Sequence, residues 1–248
     1  MLELKNIFAG YGSKTVLRSV SAPIQKGRLT SIIGINGCGK STLLKAILGI
    51  LPISQGEITV DGKALSSMSR NEIARRVAYL SQGRSIPDMT VEQMVLHGRF
   101  PYLSYPRRYK EADREIAKRA LNDVGIASLS QMPLSALSGG MQQNAYIAMA
   151  LAQDTDYILL DEPTTYLDIA HQLDLMKLLR RLADSGKGIV TIMHDLPLAL
   201  DFSDEIIALH NGAVVMQGTP SEICDSTVIH ALFGVKMERL GNKYGYKY

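Results

Sequence analysis

Residues 34–42 read GINGCGKST, which places three glycines, a lysine and two hydroxyls within nine positions. Gly34, Gly39, Lys40 and Ser41 fill the fixed places of the pattern G-x-x-x-x-G-K-[ST]. Glycines let a loop turn its backbone N–H groups inward, and such a nest at a helix start favours a polyphosphate. Lys40 can reach the terminal phosphates, and the Ser41 hydroxyl can offer an oxygen to Mg2+. Cys38 holds a free position of the pattern. Its nearness to Lys40 and a helix start could lower its pKa, but the simpler reading is a small side chain that fits.

A second set of groups closes the run DTDYILLDEP (154–163). Asp161 suits a metal shell, and Glu162 suits taking a proton from an attacking water. A third lies in LSGG (137–140), where Ser138 is placed to cap a helix and Gly139 and Gly140 let backbone amides approach an anion. Two phosphate-type sites so far apart in one chain make sense if two chains share the ligands.

These groups need elements to hold them. RLTSII (28–33) is a β-branched, apolar strand candidate. STLLKAILGI after the loop has helical spacing, with Gly49 and Pro52 as the stop. Tyr157 to Leu160 read as a buried parallel strand that delivers Asp161 and Glu162 to the carboxyl edge of a sheet, where open α/β sheets bind ligands. Ser138 opens a helix through about residue 152, and EIIALHNGAVVMQG (205–218) reads as two strands around His210-Asn211-Gly212. The tail GNKYGYKY reads as frayed or loosely docked.

The chain as a whole sets limits. Its 248 residues, 46% hydrophobic and 21% charged, suit one substantial core. Two cysteines are too few for a disulfide framework. Glu3 and Lys5 interrupt the N-terminal apolar run, so it does not read as a signal peptide, and no run is long enough to span a membrane. A net charge of +3 argues weakly against nucleic acid. Residues 98–121 hold seven Arg and Lys against three acids, with four aromatics. That segment reads as a tight aromatic loop followed by a solvated helix from about Tyr109.

The glycine loop, LSGG and LLDEP, in that order, resemble the nucleotide-binding subunit of ABC transporters over nearly the whole chain. Tyr11 in AGYGSKTVL matches the aromatic that stacks on adenine, and Gln82 in YLSQ matches the loop glutamine that senses the metal and the permease. Asp168, closing TTYLD, matches the loop that crosses the dimer interface, and His194 in TIMHDL matches the switch histidine near the γ-phosphate. The resemblance implies ATP and Mg2+ as cofactors. ATP would be bound by Tyr11, Gly34, Asn36, Gly37, Cys38, Gly39, Lys40, Ser41 and Thr42. Ser138, Gly139, Gly140 and Asp168 would bind it across a dimer. Glu162, His194, Lys40 and Gln82 would be catalytic, and Ser41, Gln82 and Asp161 would hold the metal.

The implied fold is α/β: a P-loop core with a mostly parallel sheet and an N-terminal antiparallel β region. The core would be residues 1–82 and 155–248, with an inserted helical subdomain at 83–154. The implied partners are a second copy in an ATP-dependent dimer, integral membrane permease subunits and, indirectly, an extracytoplasmic substrate-binding protein, with no nucleic acid. The place is the cytoplasmic face of the cell membrane, peripherally. TVEQMVLHGRFPYL, YLDIAHQLDLMKLL and GTPSEICDSTVIHALFG are similar to ATPases of importers for iron–siderophore, haem and cobalamin.

An ABC-type ATPase of soluble function would usually show tandem cassettes or long charged insertions, and a GTPase would show N-K-x-D. This sequence has neither feature. It departs from the family after LSGG, where Gln-Arg-Gln-Arg is commonest and Met141, Gln142, Gln143 and Asn144 stand here. Met141 lacks an amide, which implies a looser ATP sandwich.

Overall fold

The computed structural model describes residues 1–83, 86–165 and 167–247. Tyr166 of the TTYLD loop and Tyr248 of the tail lie outside them. Strand β1 (Leu2–Tyr11) buries Leu2 and Leu4, then Ile7 and Ala9. The inward face changes from even to odd positions around Asn6, which has φ 50°, and the register with both neighbouring strands shifts there. A slip of one residue flips every side chain, so the bulge keeps both halves of β1 facing the core. The Asn6 N–H donates instead to Ser21 Oγ at 2.8 Å. Strands β2 (Lys14–Ile24) and β4 (Ile53–Val60) flank β1 antiparallel, with the short β5 (Lys63–Ala64) outside β4.

The central sheet is built from β3 (Leu29–Ile33), β6 (Val77–Leu80), β7 (Tyr157–Asp161), β8 (Gly188–Ile192), β9 (Glu205–His210) and β10 (Ala213–Gly218), in the order β10-β9-β3-β8-β7-β6. Every pairing is parallel except β9 with β10. All residues of β3, β7 and β8 are buried, which requires cover on both faces. Ile32, Leu159, Val190 and Ile207 pack with the inner residues of β1 and β2 and with helix α1 (Lys40–Ile47). Ile33, Ile158, Leu160 and Ile189 belong to the second core, which holds α3 (Val91–Leu96), α4 (Glu111–Asp123), α5 (Gly139–Ala152), α6 (Ile169–Asp184) and α7 (Leu196–Phe202). The short α2 (Arg70–Ala74) precedes β6, and α8 (Pro220–Asp225) and α9 (Val228–Phe233) follow β10. No helix among the described residues is long and apolar enough to cross a membrane.

Helices α3, α4 and α5 are tied by one buried ion pair. Arg99 Nε donates to Asp113 Oδ1 at 3.0 Å, and its Nη1 donates to the Ala152 carbonyl at the end of α5 at 2.9 Å. Burial alone would push the Asp113 carboxyl up. The Lys110 backbone N–H and the Arg99 guanidinium outweigh it and hold the pKa below the ordinary value. A depressed carboxylate contributes stability that is present above the unfolded pKa, near 3.8, and lost as pH falls through the folded value. Asp113→Ala leaves a buried guanidinium unpaired and is expected to destabilise the fold by about 3–5 kcal/mol. Urea unfolding checks this at pH 7, and the gap between wild type and variant should shrink in acid below pH 4.

Of the two readings of the tail, frayed or loosely docked, the structure overturns the first. The tail forms a hairpin of β11 (Lys236–Leu240) and β12 (Lys243–Lys247) instead of fraying. Asp201, in the last turn of α7, accepts from the Tyr244 N–H at 2.9 Å and pairs with Lys243 at 3.1 Å. That anchor lies far back in the chain, where a local pattern cannot announce it.

Candidate functional site

Four neighbouring parallel strands end at one edge of the sheet, and each delivers a group there. β3 runs into the glycine loop, β7 ends at Asp161 and Glu162, β8 is followed by Met193 and His194, and β6 is followed by Ser81 and Gln82. The carboxyl edge of an open α/β sheet is where ligands bind. A cleft of about 810 Å³ opens there, lined by Tyr11, Asn36, Gly37, Gly39, Lys40, Ser41, Thr42, Gln82, Glu162 and His194. Lys14, Val16 and Thr165 also line it and had not been expected, since their types carry no signal on their own.

The glycine loop is tight at its base. A Cβ on Gly34, which has φ 155°, would lie 2.3 Å from the Leu209 carbonyl oxygen, so only glycine fits. Gly39 caps α1 at φ 112°, a backbone state L side chains rarely take. Lys40 is 6% exposed. Its Nζ donates to the Gly34 carbonyl at 2.7 Å and to the Ile35 carbonyl at 3.1 Å. An ammonium has three donors, so one remains for a phosphate oxygen.

Cys38 is buried at 4% exposure, and its thiol belongs to the apolar core under the loop. Burial pushes the thiol pKa up against the opposing pull of Lys40, so the lowered pKa that helix and lysine would suggest does not arise. Its side chain is therefore turned away from any ligand, and its backbone N–H donates to the Ile35 carbonyl at 3.3 Å. The Cys38 carbonyl accepts from the Gly212 N–H at 2.9 Å, which seats the loop on the β9–β10 turn.

Asp161 is 4% exposed and accepts from Ser41 Oγ and from Tyr79 OH, each at 3.2 Å. Burial, aided by the charge on Glu162, raises its pKa in spite of those hydrogen bonds. A buried carboxylate bonded by two hydroxyls and, among the described residues, by no cationic side chain fits a hard divalent cation. Among the described residues no cluster of three or more His, Cys, Asp or Glu gathers. That donor set suits Mg2+, which is held by one or two carboxylates and completed by water and phosphate oxygens.

Glu162 stands at φ 51°, an uncommon state for a side chain of this size and a mark of functional sites. One carboxylate oxygen lies 2.6 Å from His194 Nε2, and the other accepts from Gln82 Nε2 and, at 3.3 Å, from Thr165 Oγ1. Glu162, Gln82 and His194 thus form one bonded group across the cleft from Lys40. Tyr11 is 49% exposed at the end of β1, and the Lys45 ammonium lies 6.0 Å from its ring centre. That leaves a free aromatic face at the cleft mouth.

The remaining candidates do not line this cleft, and of them Gly139 lines an adjoining hollow that shares Gln82, Glu162 and Thr165 with it. Ser138 caps α5 by accepting from the Met141 N–H at 3.4 Å, with Gly139 and Gly140 in the first turn. Asp168 caps α6. Hydrogen bonds from the His171 backbone and ring hold its carboxyl below the ordinary range. Gln142 and Asn144, two of the departures after LSGG, donate to the Leu134, Leu137 and Val124 carbonyls, so they are used inside the helical layer. Gln143 donates to the Pro163 carbonyl at 2.9 Å, beside Glu162. Of the departures, Met141, which is 42% exposed, is thus the one left for the expectation of a looser sandwich. Met141→Gln is expected to raise the ATPase rate at low ATP by roughly two- to tenfold, the worth of one hydrogen bond. An unchanged rate removes Met141 as a cause.

Strand, phosphate loop and helix, with a histidine after the neighbouring strand β8 and an acidic pair at the end of β7 beyond it, define a nucleotide-hydrolysing P-loop enzyme. The family model for ABC transporters matches residues 17–165. The chain is 42% identical over 239 residues to the iron(3+)-hydroxamate import ATP-binding protein FhuC of Bacillus subtilis, covering 96% of this chain and 89% of that protein. It is 41% identical over 239 residues to the petrobactin import ATP-binding protein FpuD of Bacillus anthracis, covering 96% and 88%. A solved ATP-binding cassette of an ABC transporter in its ADP conformation superposes with a TM-score of 0.83 at 25% identity, over 94% of this chain and 98% of that one. The chain belongs to the ABC transporter family and is an ATP-binding subunit with ATPase activity.

Proposed function

We propose that the chain is the motor of an importer for iron chelates of the siderophore type, within the subgroup that also serves haem and cobalamin. The support is the FhuC and FpuD likeness over nearly the full chain, together with Glu162 held between Gln82 and His194 across the cleft from Lys40. Tyr11 stacks on the adenine, and the amides of Gly34 to Thr42 cradle the phosphates. Ser41, Asp161 and Gln82 hold Mg2+, which when bound neutralises phosphate charge. Lys40 and His194 supply donors where negative charge develops on the transferred phosphoryl group, and Glu162 takes the proton of the attacking water.

Ser138, Gly139, Gly140 and Asp168 engage the ATP of a second copy, so two chains clamp two ATP. The chain is one ATPase domain, with core residues 1–82 and 155–248 and helical residues 83–154, the part that docks the permease at the cytoplasmic face of the membrane. An extracytoplasmic binding protein feeds that permease. The test is a tagged pull-down from detergent-solubilised native membranes with mass spectrometry. Recovery of a many-spanning permease supports the importer. Recovery of ribosomal or DNA-repair proteins alone overturns it in favour of a soluble ABC-type ATPase.

A further inference from the structure

Gly140 does not take the left-handed backbone state, so its conformation suits any residue. Its neighbour Gly139 has open space where a Cβ would stand. A Cβ on Gly140, in contrast, would lie 2.4 Å from Cδ2 and 2.8 Å from Nε2 of His171. The histidine ring therefore occupies the place of the missing side chain. One bond fixes that ring and a second fixes the backbone that carries it. Asp168 Oδ1 accepts the His171 backbone N–H at 2.9 Å and lies 2.8 Å from the ring Nδ1.

The contact joins two parts of the site. Behind His171, the first turn of α6 is stapled to the loop that leaves Glu162. Gln172 Nε2 donates to the Thr164 and Leu167 carbonyls at 3.3 and 3.0 Å, and Thr165 Oγ1 bonds Glu162 itself. In front of it lies the first turn of α5, with Ser138, Gly139 and Gly140. A continuous run of bonds and one packed ring thus leads from Glu162 to the LSGG turn. Gln143, bonded to Pro163, holds α5 to the same loop one turn later, so the helix stays docked without His171. What the ring sets is the position of the first turn.

We infer that His171 is a positioning residue that ties the LSGG turn, through Asp168, to the loop of the hydrolytic glutamate, and so couples the two ATP sites of the dimer. The inference rests on the reading of Ser138 to Gly140 as the clamp for the partner copy's ATP. Packed groups with a defined arrangement transmit coupling of this kind, and ring and tether each contribute to it.

The test uses the full chain carrying Glu162→Gln, in which ATP is bound and not consumed. ATP-dependent dimer formation is measured by analytical ultracentrifugation, and ATP affinity of the monomer by calorimetry at low protein concentration. Adding His171→Ala is expected to weaken dimer formation on the order of tenfold and to leave monomer affinity within about twofold. His171→Phe keeps a ring against Gly140 without the Asp168 bond and is expected to fall between the two. In otherwise native chains, His171→Ala is expected to lower the Hill coefficient of ATPase rate against ATP, and a coefficient equal to that of the native chain overturns the coupling. Unchanged dimer formation in His171→Ala overturns the inference. Equal loss of dimer formation and monomer affinity also overturns it, because the role is then general support of the fold. If the Glu162→Gln parent with native His171 forms no dimer in ATP, the sandwich reading itself falls and takes this inference with it.

Discussion

Glu162→Gln is expected to lower ATP hydrolysis by a factor of about 10² to 10⁴, the usual contribution of a placed general base. The substitution keeps the size of the side chain, and its amide oxygen can still accept from Gln82 Nε2. It removes the one property hydrolysis needs there, an oxygen that can take up a proton. The backbone at φ 51° is unchanged, so the strain at this position is the same in both chains. ATP affinity should therefore stay near the native value, and the ATP-bound dimer should accumulate. Turnover by phosphate release and binding by calorimetry separate the two effects. A rate within tenfold of native shows that Glu162 is not the base.

His194 sharpens this test. Its Nε2 lies 2.6 Å from Glu162 Oε1, so it orients the carboxylate as well as facing the cleft. If orientation is its main part, combining His194→Ala with Glu162→Gln should add little to the loss from Glu162→Gln alone. If it chiefly serves the phosphate, the two losses should multiply.

The legible parts of the site share one feature, that the constraint is local. Nine residues contain the glycines, the lysine and the hydroxyl of the phosphate loop, and the strand before it and helix after it are periodic enough to place it. Asp161 and Glu162 were readable because a fully apolar strand delivers them to an edge. What escaped depends on partners far along the chain. Tyr79 reaches Asp161 across neighbouring strands, and nothing about a tyrosine in VAYL marks it for that. The proximity of Cys38 to Lys40 was visible in sequence, but its burial was not, and burial decides the direction of its pKa. The strand KYGYK owes its place to Asp201, and the bulge at Asn6 shifts an alternation that otherwise looks broken. His171 reads as one more polar residue of a helix until the ring is seen against Gly140.

Lys40→Met is expected to weaken ATP binding by roughly a hundredfold or more, since a hydrogen bond to a charged group is worth about 1.5–3 kcal/mol and the lysine also supplies the charge. Methionine nearly preserves the buried stem, so packing around the loop changes little. The Gly34 and Ile35 carbonyls lose their donor, however. Gly34 is buried and Ile35 is 37% exposed, so water can replace the bond only at Ile35. The expected destabilisation is about 1–2 kcal/mol, a drop of a few degrees in Tm for a chain of this size. Calorimetric titration and thermal unfolding in the absence of nucleotide measure the two effects separately. Lys40→Arg decides between charge and shape. A guanidinium keeps the charge but is a planar fork that cannot turn one donor to each of two carbonyls and a third to a phosphate. Lys40→Arg is therefore expected to bind ATP nearly as poorly as Lys40→Met. Near-native affinity in Lys40→Arg would reduce the role of Lys40 to charge alone, and affinity within threefold of native in Lys40→Met would remove it from the nucleotide site.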